Sequence, residues 1–434
     1  RQRRRNIRSV RVRPQTNGGI EETSPVTRIV FWFVALLAAG LPSLAHAAAP
    51  RPWVELGDDG MLSVRSVVTA GSPCPKVTAD GSDIAPKKQL GPDDRFPLEL
   101  CDAHAPATSA TVTVGGQPVP VLATAVRRIV VLGDTGCRIE GHSFQDCRDP
   151  KDWPFHSVAE HAAARHPDLV IHVGDYLYRL SACPAGNAGC AGPWGDNWPA
   201  WQADFFDPAQ PLLAAAPWVM VRGNHEMCHR GGEGWRRLID PHPGALACSD
   251  FGSPYRLSFG GLNLLMLDSA NADDFKAAPD KVAMYSDALK TLLAEAPAHS
   301  WLLTHRPVWA PAGGTLTGLS VNLTEQAAIR DHVPDGLDMV MSGHLHDFAA
   351  YAFGPQRPSQ LIVGTGGDTL LDLAAGPIVG TDIDGVPITA GFAKKSFGYF
   401  VLDRTAEGWD GVFYTPDDEV VARCTLRGRG LECR

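Results

Sequence analysis

Between residues 128 and 342 the chain repeats one pattern, a short and continuously apolar run that ends in a glycine or a polar turn. Residues 128–132, 169–173, 218–221, 262–267, 301–304 and 338–342 all follow it. Runs of this length without alternation predict strands buried on both faces. Helical spacing appears between several of them, as in 157–166 and 286–296, so the expected class is α/β with helices covering the sheets. The segments 360–363, 398–402 and 411–414 predict further strands in a β-rich tail. Residues 48–125 differ in texture, being rich in Pro, Gly, Thr and Val, with short strand-like runs at 61–68 and 111–114. They predict a small β-rich N-terminal domain without a chemical motif, followed by a catalytic domain over 126–434.

The first 47 residues have another character. Residues 1–13 are basic, 29–44 form an apolar run, and Ala45-His46-Ala47 offers a small-x-small cleavage site. This layout predicts a secretory signal peptide over 1–47, and the short run broken by Pro42 argues against a membrane anchor. The expectation is an exported protein, periplasmic or secreted and bacterial, with no membrane span after cleavage. Removing 1–47 takes eight Arg and two Glu, leaving 39 − 8 = 31 basic and 48 − 2 = 46 acidic residues, a net charge of −15. A body this acidic does not collect nucleic acid or anionic membrane by long-range attraction. A small phosphorylated substrate stays compatible, because bound cations reverse the local field. All ten cysteines follow residue 47, which favours disulfides over thiol catalysis or zinc clusters. Sequence neighbours suggest the pairs Cys74–Cys101, Cys137–Cys147, Cys183–Cys190, Cys228–Cys248 and Cys424–Cys433. A short closure of this kind contributes about 2–3 kcal/mol.

Candidate chemistry is concentrated in five segments: Gly133-Asp134-Thr135-Gly136, Gly174-Asp175-Tyr176-Leu177-Tyr178, Gly223-Asn224-His225-Glu226, Leu302-Leu303-Thr304-His305 and Gly343-His344-Leu345-His346. Most directly follow an apolar run, which is how a sheet delivers ligands to one rim. Singly, each is weak. A Gly-Asp pair is most often a turn, and His172, in the middle of an apolar run, reads as a structural residue. The ordered set is what points to two metal ions and hydrolysis of a phosphate ester.

That set resembles the calcineurin-like metallophosphoesterases, and most closely their purple acid phosphatase branch, with GDxG, GDxxY, GNH(D/E), VxxH and GHxH. The chain departs only at Leu302, where the branch has Val. The resemblance implies an αββα sandwich. It also implies that Asp134, Tyr178 and His346 hold one metal, Asn224, His305 and His344 the other, and that Asp175 bridges them. The chemistry of the donors agrees, since two neighbouring cations need a shared anion. Oxygen donors with a tyrosinate suit Fe(III) at the first position, and the imidazole-rich second suits Zn(II), Fe(II) or Mn(II). Gly136 stands where other branches carry a His, and Tyr178 takes up the vacancy, with Tyr176 as the buried aromatic.

The expected reaction is attack of a metal-bound hydroxide on a phosphomonoester, with His225 stabilising the transition state or protonating the leaving group. A phosphodiesterase on the same fold, acting on cyclic nucleotides, glycerophosphodiesters or lipid headgroups, is the alternative. A non-catalytic metal-binding envelope protein is a third, disfavoured by the intact His225. Arg306 is a candidate phosphate contact or an ordinary salt-bridge partner. Glu226 could orient His225 or be a solvated loop carboxylate. His142, His229 and His242 lie in loops and could face substrate. Trp194, Trp198 and Trp201 read as helix packing, Gly364-Thr365-Gly366-Gly367 resembles a family segment after GHxH, and Asn322-Leu323-Thr324 fits a glycosylation sequon.

Overall fold

The computed structural model describes residues 51–242, 247–294, 296–312, 320–331, 333–371 and 377–434. The expected signal peptide over 1–47 lies outside these residues. Among the described residues two large sheets dominate. One has eleven strands, in the order Gly430–Cys433, Val420–Arg427, Trp409–Tyr414, Tyr399–Arg404, Arg128–Leu132, Leu169–His172, Trp218–Met220, Trp53–Leu56, Leu62–Thr69, Leu98–Ala105 and Lys87–Lys88. The other has seven, in the order Tyr255–Phe259, Leu262–Met266, Ser300–Leu303, Leu337–Ser342, Ser359–Val363, Phe348–Ala352 and Ala390–Lys394.

Strand alternation explains the layering. Ile129, Val131 and Ile171 of the first sheet share one core with Leu264, Leu303, Met341 and Val363 of the second. Their neighbours point the other way: Val130, Leu132 and Val170 pack under helices Phe155–Ala164 and Asp207–Leu213. Leu302 and Val340 pack under Pro279–Leu293 and Leu323–Ile329. Both faces of the central strands are therefore apolar, and the architecture is the αββα sandwich expected.

Helix boundaries moved for local reasons. Phe155–Ala164 buries Phe155, Val158, Ala159 and Ala162 at helical spacing. It stops where His166 takes a φ of 52° ahead of Pro167. Pro279–Leu293 begins at a first-turn proline, seven residues before the spacing becomes regular.

The boundary expected near residue 125 falls inside a compact unit spanning Ala49–Arg434. Strand Trp53–Leu56 pairs in parallel with Trp218–Met220, so the N-terminal strands extend the eleven-stranded sheet. Buried Arg65 adds a polar tie, bonding Glu55 Oε2 at 2.9 Å, Leu238 O at 3.0 Å and Asp240 O at 2.7 Å. The smaller sheet made by Ser82–Ile84, Val77–Ala79, Val112–Val114 and Gln117–Val119 packs Val77 and Val112 onto the central core. All five cysteine pairs suggested by sequence proximity are disulfides.

Candidate metal centre

The parallel strands at the middle of each sheet end at one rim. Asp134 follows Arg128–Leu132, Asp175 and Tyr178 follow Leu169–His172, and Asn224 and His225 follow Trp218–Met220. From the other sheet, His305 follows Ser300–Leu303, and His344 and His346 follow Leu337–Ser342. The turns are tight, and Asp134, Asp175 and His344 hold left-handed φ values of 56°, 60° and 67°. Such backbone is costly for residues with a Cβ and clusters at functional sites.

The glycines of the five segments have a packing reason. A Cβ on Gly223 would collide with Asp175, one on Gly343 with the Asp134 carboxylate, and one on Gly174 with the His305 ring. A Cβ on Gly136 would meet Asp204 Oδ2 at 2.6 Å. Each glycine leaves room for an atom delivered by a different segment.

The donors converge as two groups. Asp134, Asp175 and His346 bring ligand atoms within 4.8 Å of one another, and so do Asp175, His305 and His344. The Tyr178 hydroxyl joins the first group, 3.0 Å from Asp134 Oδ1, 2.9 Å from Asp175 Oδ2 and 3.1 Å from His346 Nε2. Asn224 Oδ1 joins the second, 3.1 Å from His305 Nε2, which also lies 3.1 Å from Asp175 Oδ2. A third group, Cys228, Cys248 and Asp250, has its cysteines in a disulfide and offers no thiolate.

Outer contacts set which ring nitrogen faces inward. His305 Nδ1 is 2.8 Å from Val173 O and His346 Nδ1 is 2.8 Å from Thr369 O, so each turns Nε2 to the centre. His344 instead places Nε2 2.9 Å from Asp274 Oδ2, which leaves Nδ1. His225 has Nδ1 3.1 Å from Leu177 O, its backbone N–H donates to Asp175 Oδ1 at 2.8 Å, and its ring lies 3.8 Å from that of Tyr178.

Electrostatics fit a pair of cations. Burial, then the charges of Asp134 and Asp175, hold the Tyr178 phenol well above its ordinary range. Burial opposes ionisation of Asp175, but His305 and His225 outweigh it and hold its carboxyl well below the usual range. Burial works against protonation of His305 and His346, yet Asp175 pushes the first up to about 9 and Asp368 with Asp134 the second to about 9. Protons on the buried imidazoles thus balance the carboxylates while the phenol stays neutral, and cations take over that balance when they bind and displace those protons. Burial also pushes the His225 imidazole well below its ordinary range.

Several carboxylates outside the two donor groups brace the site. Glu226 is fully buried and neither orients the His225 ring nor meets solvent. Its Oε1 accepts from the N–H groups of Tyr176 and Leu177 at 2.9 and 3.2 Å, and its Oε2 from Gly223 at 3.1 Å, tying two ligand segments together. Asp204 does the same for another pair, accepting from Cys137 N at 2.8 Å and Tyr178 N at 2.7 Å. Asp368, directly after Gly367, lies 3.2 Å from His346 Nδ1 and is gripped by the Arg138 fork. Asp274 holds His344 and also pairs with Arg306.

Arg306 is not a surface residue, since its side chain is 11 % exposed and its Nη1 lies 2.8 Å from His344 Nε2. His172 bonds Thr135 Oγ1 at 3.0 Å and stacks on Tyr176, as a structural residue should. Tyr176 is buried and donates to Val221 O at 3.0 Å. His142 and His229 are exposed, and His242 sits between Asp58 and Asp240. Trp201 is buried and Trp198 half-buried, but Trp194 is 50 % exposed and does not pack a helix. Asn322 is no glycosylation site: it is fully buried and caps helix Leu323–Ile329, accepting from Glu325 N at 3.1 Å.

The calcineurin-like phosphoesterase family model matches residues 127–348. Among solved structures, a purple acid phosphatase from yellow lupin (Lupinus luteus) seeds superposes with a TM-score of 0.57 at 14 % identity, covering 86 % of this chain and 74 % of that one. A PhoD structure superposes with a TM-score of 0.51 at 12 % identity, covering 89 % of this chain and 90 % of that one. At these identities the likeness is one of fold. No curated protein sequence matches the chain.

Proposed function

The chain belongs to the calcineurin-like phosphoesterase family, and from that premise we propose that it is an exported phosphatase acting on phosphomonoesters at a binuclear metal centre. The observation that carries this reading is the position of Asp175, the one carboxylate common to both donor groups. Asp134, Tyr178 and His346 would hold one cation, Asn224, His305 and His344 the other, with Asp175 between them. The oxygen-rich first group, with its phenol, suits Fe(III). The second suits Zn(II), Fe(II) or Mn(II).

Two bound cations supply water of lowered pKa and withdraw charge from phosphoryl oxygens. The protein's own residues do the rest. His225, anchored through Nδ1 on Leu177 O, keeps Nε2 for substrate, where it would stabilise the phosphoryl group or meet the leaving oxygen. Glu226 and Asp204 keep the loops carrying Asp175, Tyr178 and Asn224 in register without touching substrate. Arg306, beside His344, adds positive charge for phosphate, tempered by Asp274. Export rests on the leader over 1–47 and on the five disulfides.

Hydrolysis of p-nitrophenyl phosphate and of bis-p-nitrophenyl phosphate, before and after chelation, tests the proposal. Chelator-sensitive cleavage faster on the monoester supports it. Preference for the diester would move the assignment to a phosphodiesterase, and no turnover of either by metal-loaded protein would sink the enzymatic reading.

A further inference from the structure

Beside His344 the rim opens into a cavity of about 310 Å³, walled in part by Met227, Asn271, Asp273, Phe275, Lys281 and Arg306. It adjoins the metal centre directly, because both Asp274 and Arg306 reach His344 Nε2, at 2.9 and 2.8 Å. Met227 lies two residues beyond His225, so the segment that presents His225 also walls the cavity. A group leaving from phosphorus on the His225 side thus has a space to occupy, of a size at the lower end for small-molecule sites.

The cavity has a definite chemistry. Phe275 is 52 % exposed. A single exposed apolar residue is ordinary by itself, but this one rides on a backbone that is tied down. Asp273 N donates to Thr324 Oγ1 at 3.1 Å, Leu323 N to Asp274 O at 3.1 Å, and Thr324 Oγ1 to Lys276 O at 3.0 Å. The ring is therefore displayed on an anchored shelf against helix Leu323–Ile329. Charges in the cavity cancel: Arg306 is paired with Asp274, while Lys281, 2.6 Å from Asn271 O, is matched by Asp273. A wall without net charge gives no pull on a second phosphate, and a cavity lined by an exposed ring and a thioether favours another ring.

We propose that this cavity is the leaving-group subsite and that it selects phosphoesters of aromatic alcohols, whose ring packs on Phe275 and Met227. The inference rests on reading the neighbouring centre as a phosphoesterase. Calorimetric titration of the metal-loaded full chain with phenylphosphonate and with methylphosphonate, neither of which carries a hydrolysable ester, tests it. The wild type should bind phenylphosphonate about tenfold more tightly, the upper range for an aromatic pair. Phe275→Ala should bring that ratio to about twofold or less, and Phe275→Trp, which keeps a ring face, should preserve it. A ratio near one in the wild type, a ratio that survives Phe275→Ala, or no binding of either phosphonate overturns the subsite. Hydrolysis of p-nitrophenyl phosphate, followed in parallel, keeps the two readings apart. Preference without hydrolysis would leave an aromatic-binding site but sink the phosphatase and with it the leaving-group role, whereas hydrolysis without preference would sink the subsite alone.

Discussion

The two sheets contribute different chemistry to the rim. The eleven-stranded sheet delivers oxygen, through Asp134, Asp175, Tyr178 and Asn224, and the seven-stranded sheet delivers imidazole nitrogen, through His305, His344 and His346. The two carboxylates without cationic partners would repel each other, and imidazoles alone would lack the anion that two cations must share. The centre is thus a property of the seam, and each half depends on the packing that brings the other to it. His305 shows this most clearly, since its Nδ1 is fixed by Val173 O of the opposite sheet's strand end.

Substitutions ought to separate the two halves. The largest effect is expected from the oxygen side. Asp175→Ala should remove both cations and reduce turnover to background, as read by metal analysis together with p-nitrophenyl phosphate hydrolysis; full metal content or retained activity would break the comparison. His305→Ala, on the nitrogen side, should cost the second cation while the group of Asp134, Tyr178 and His346 keeps the first. His225 is carried by the eleven-stranded sheet but stands outside both donor groups, so His225→Ala should keep both cations while lowering kcat by about 10²–10⁴-fold.

Smaller effects sharpen the contrast. Asp368→Asn weakens the anchor of His346 and should lower affinity for the first cation by about 10–100-fold, and Asp274→Asn should do the same for the second. Competition with a calibrated chelator measures each. The smallest effect lies far from the rim. His104, drawn first by the nearby Asp102 carboxylate and then by Asp59, which it hydrogen-bonds at 2.9 Å, against the cost of burial, is pushed up to about 9 from an ordinary 6.5. A raised folded-state pKa means stability that is fully present below 6.5 and lost as pH rises through about 9. The difference in Tm between wild type and His104→Gln should therefore be largest near pH 6, shrink through pH 9, and leave metal content untouched.

Much of the fold was legible because buried parallel strands leave a strong mark. The run at 128–132 coincides with its strand, and the others differ by a residue or two at their ends. The donor segments from Asp134 to His346 were readable because four of the five place the donor in a turn with a glycine, the His305 segment being the exception, and the structure gives those glycines a steric cause. Three things were less accessible. The N-terminal strands looked like a separate domain, since no local pattern announces that 53–56 pairs with a strand more than 160 residues later. Asp204, Asp274 and Asp368 brace the site by reaching segments far away in sequence, and a lone carboxylate outside any motif has no spacing to betray it; only Asp368 had a hint, in the glycine segment before it. Asn322 shows the converse, a sequence match emptied by burial.

The disulfides are not shared evenly. Cys424–Cys433 joins two outer strands of the eleven-stranded sheet and Cys74–Cys101 ties a loop to another of its outer strands, whereas Cys137–Cys147, Cys183–Cys190 and Cys228–Cys248 each follow one of its donor segments. Among the described residues, no ligand segment of the seven-stranded sheet is followed by one. A reducing environment therefore loosens the carboxylate-bearing turns and leaves the histidine-bearing turns covalently as they were. A chain folded where thiols stay reduced would have one firm jaw and one slack one, and oxidation is the step that sets the grip.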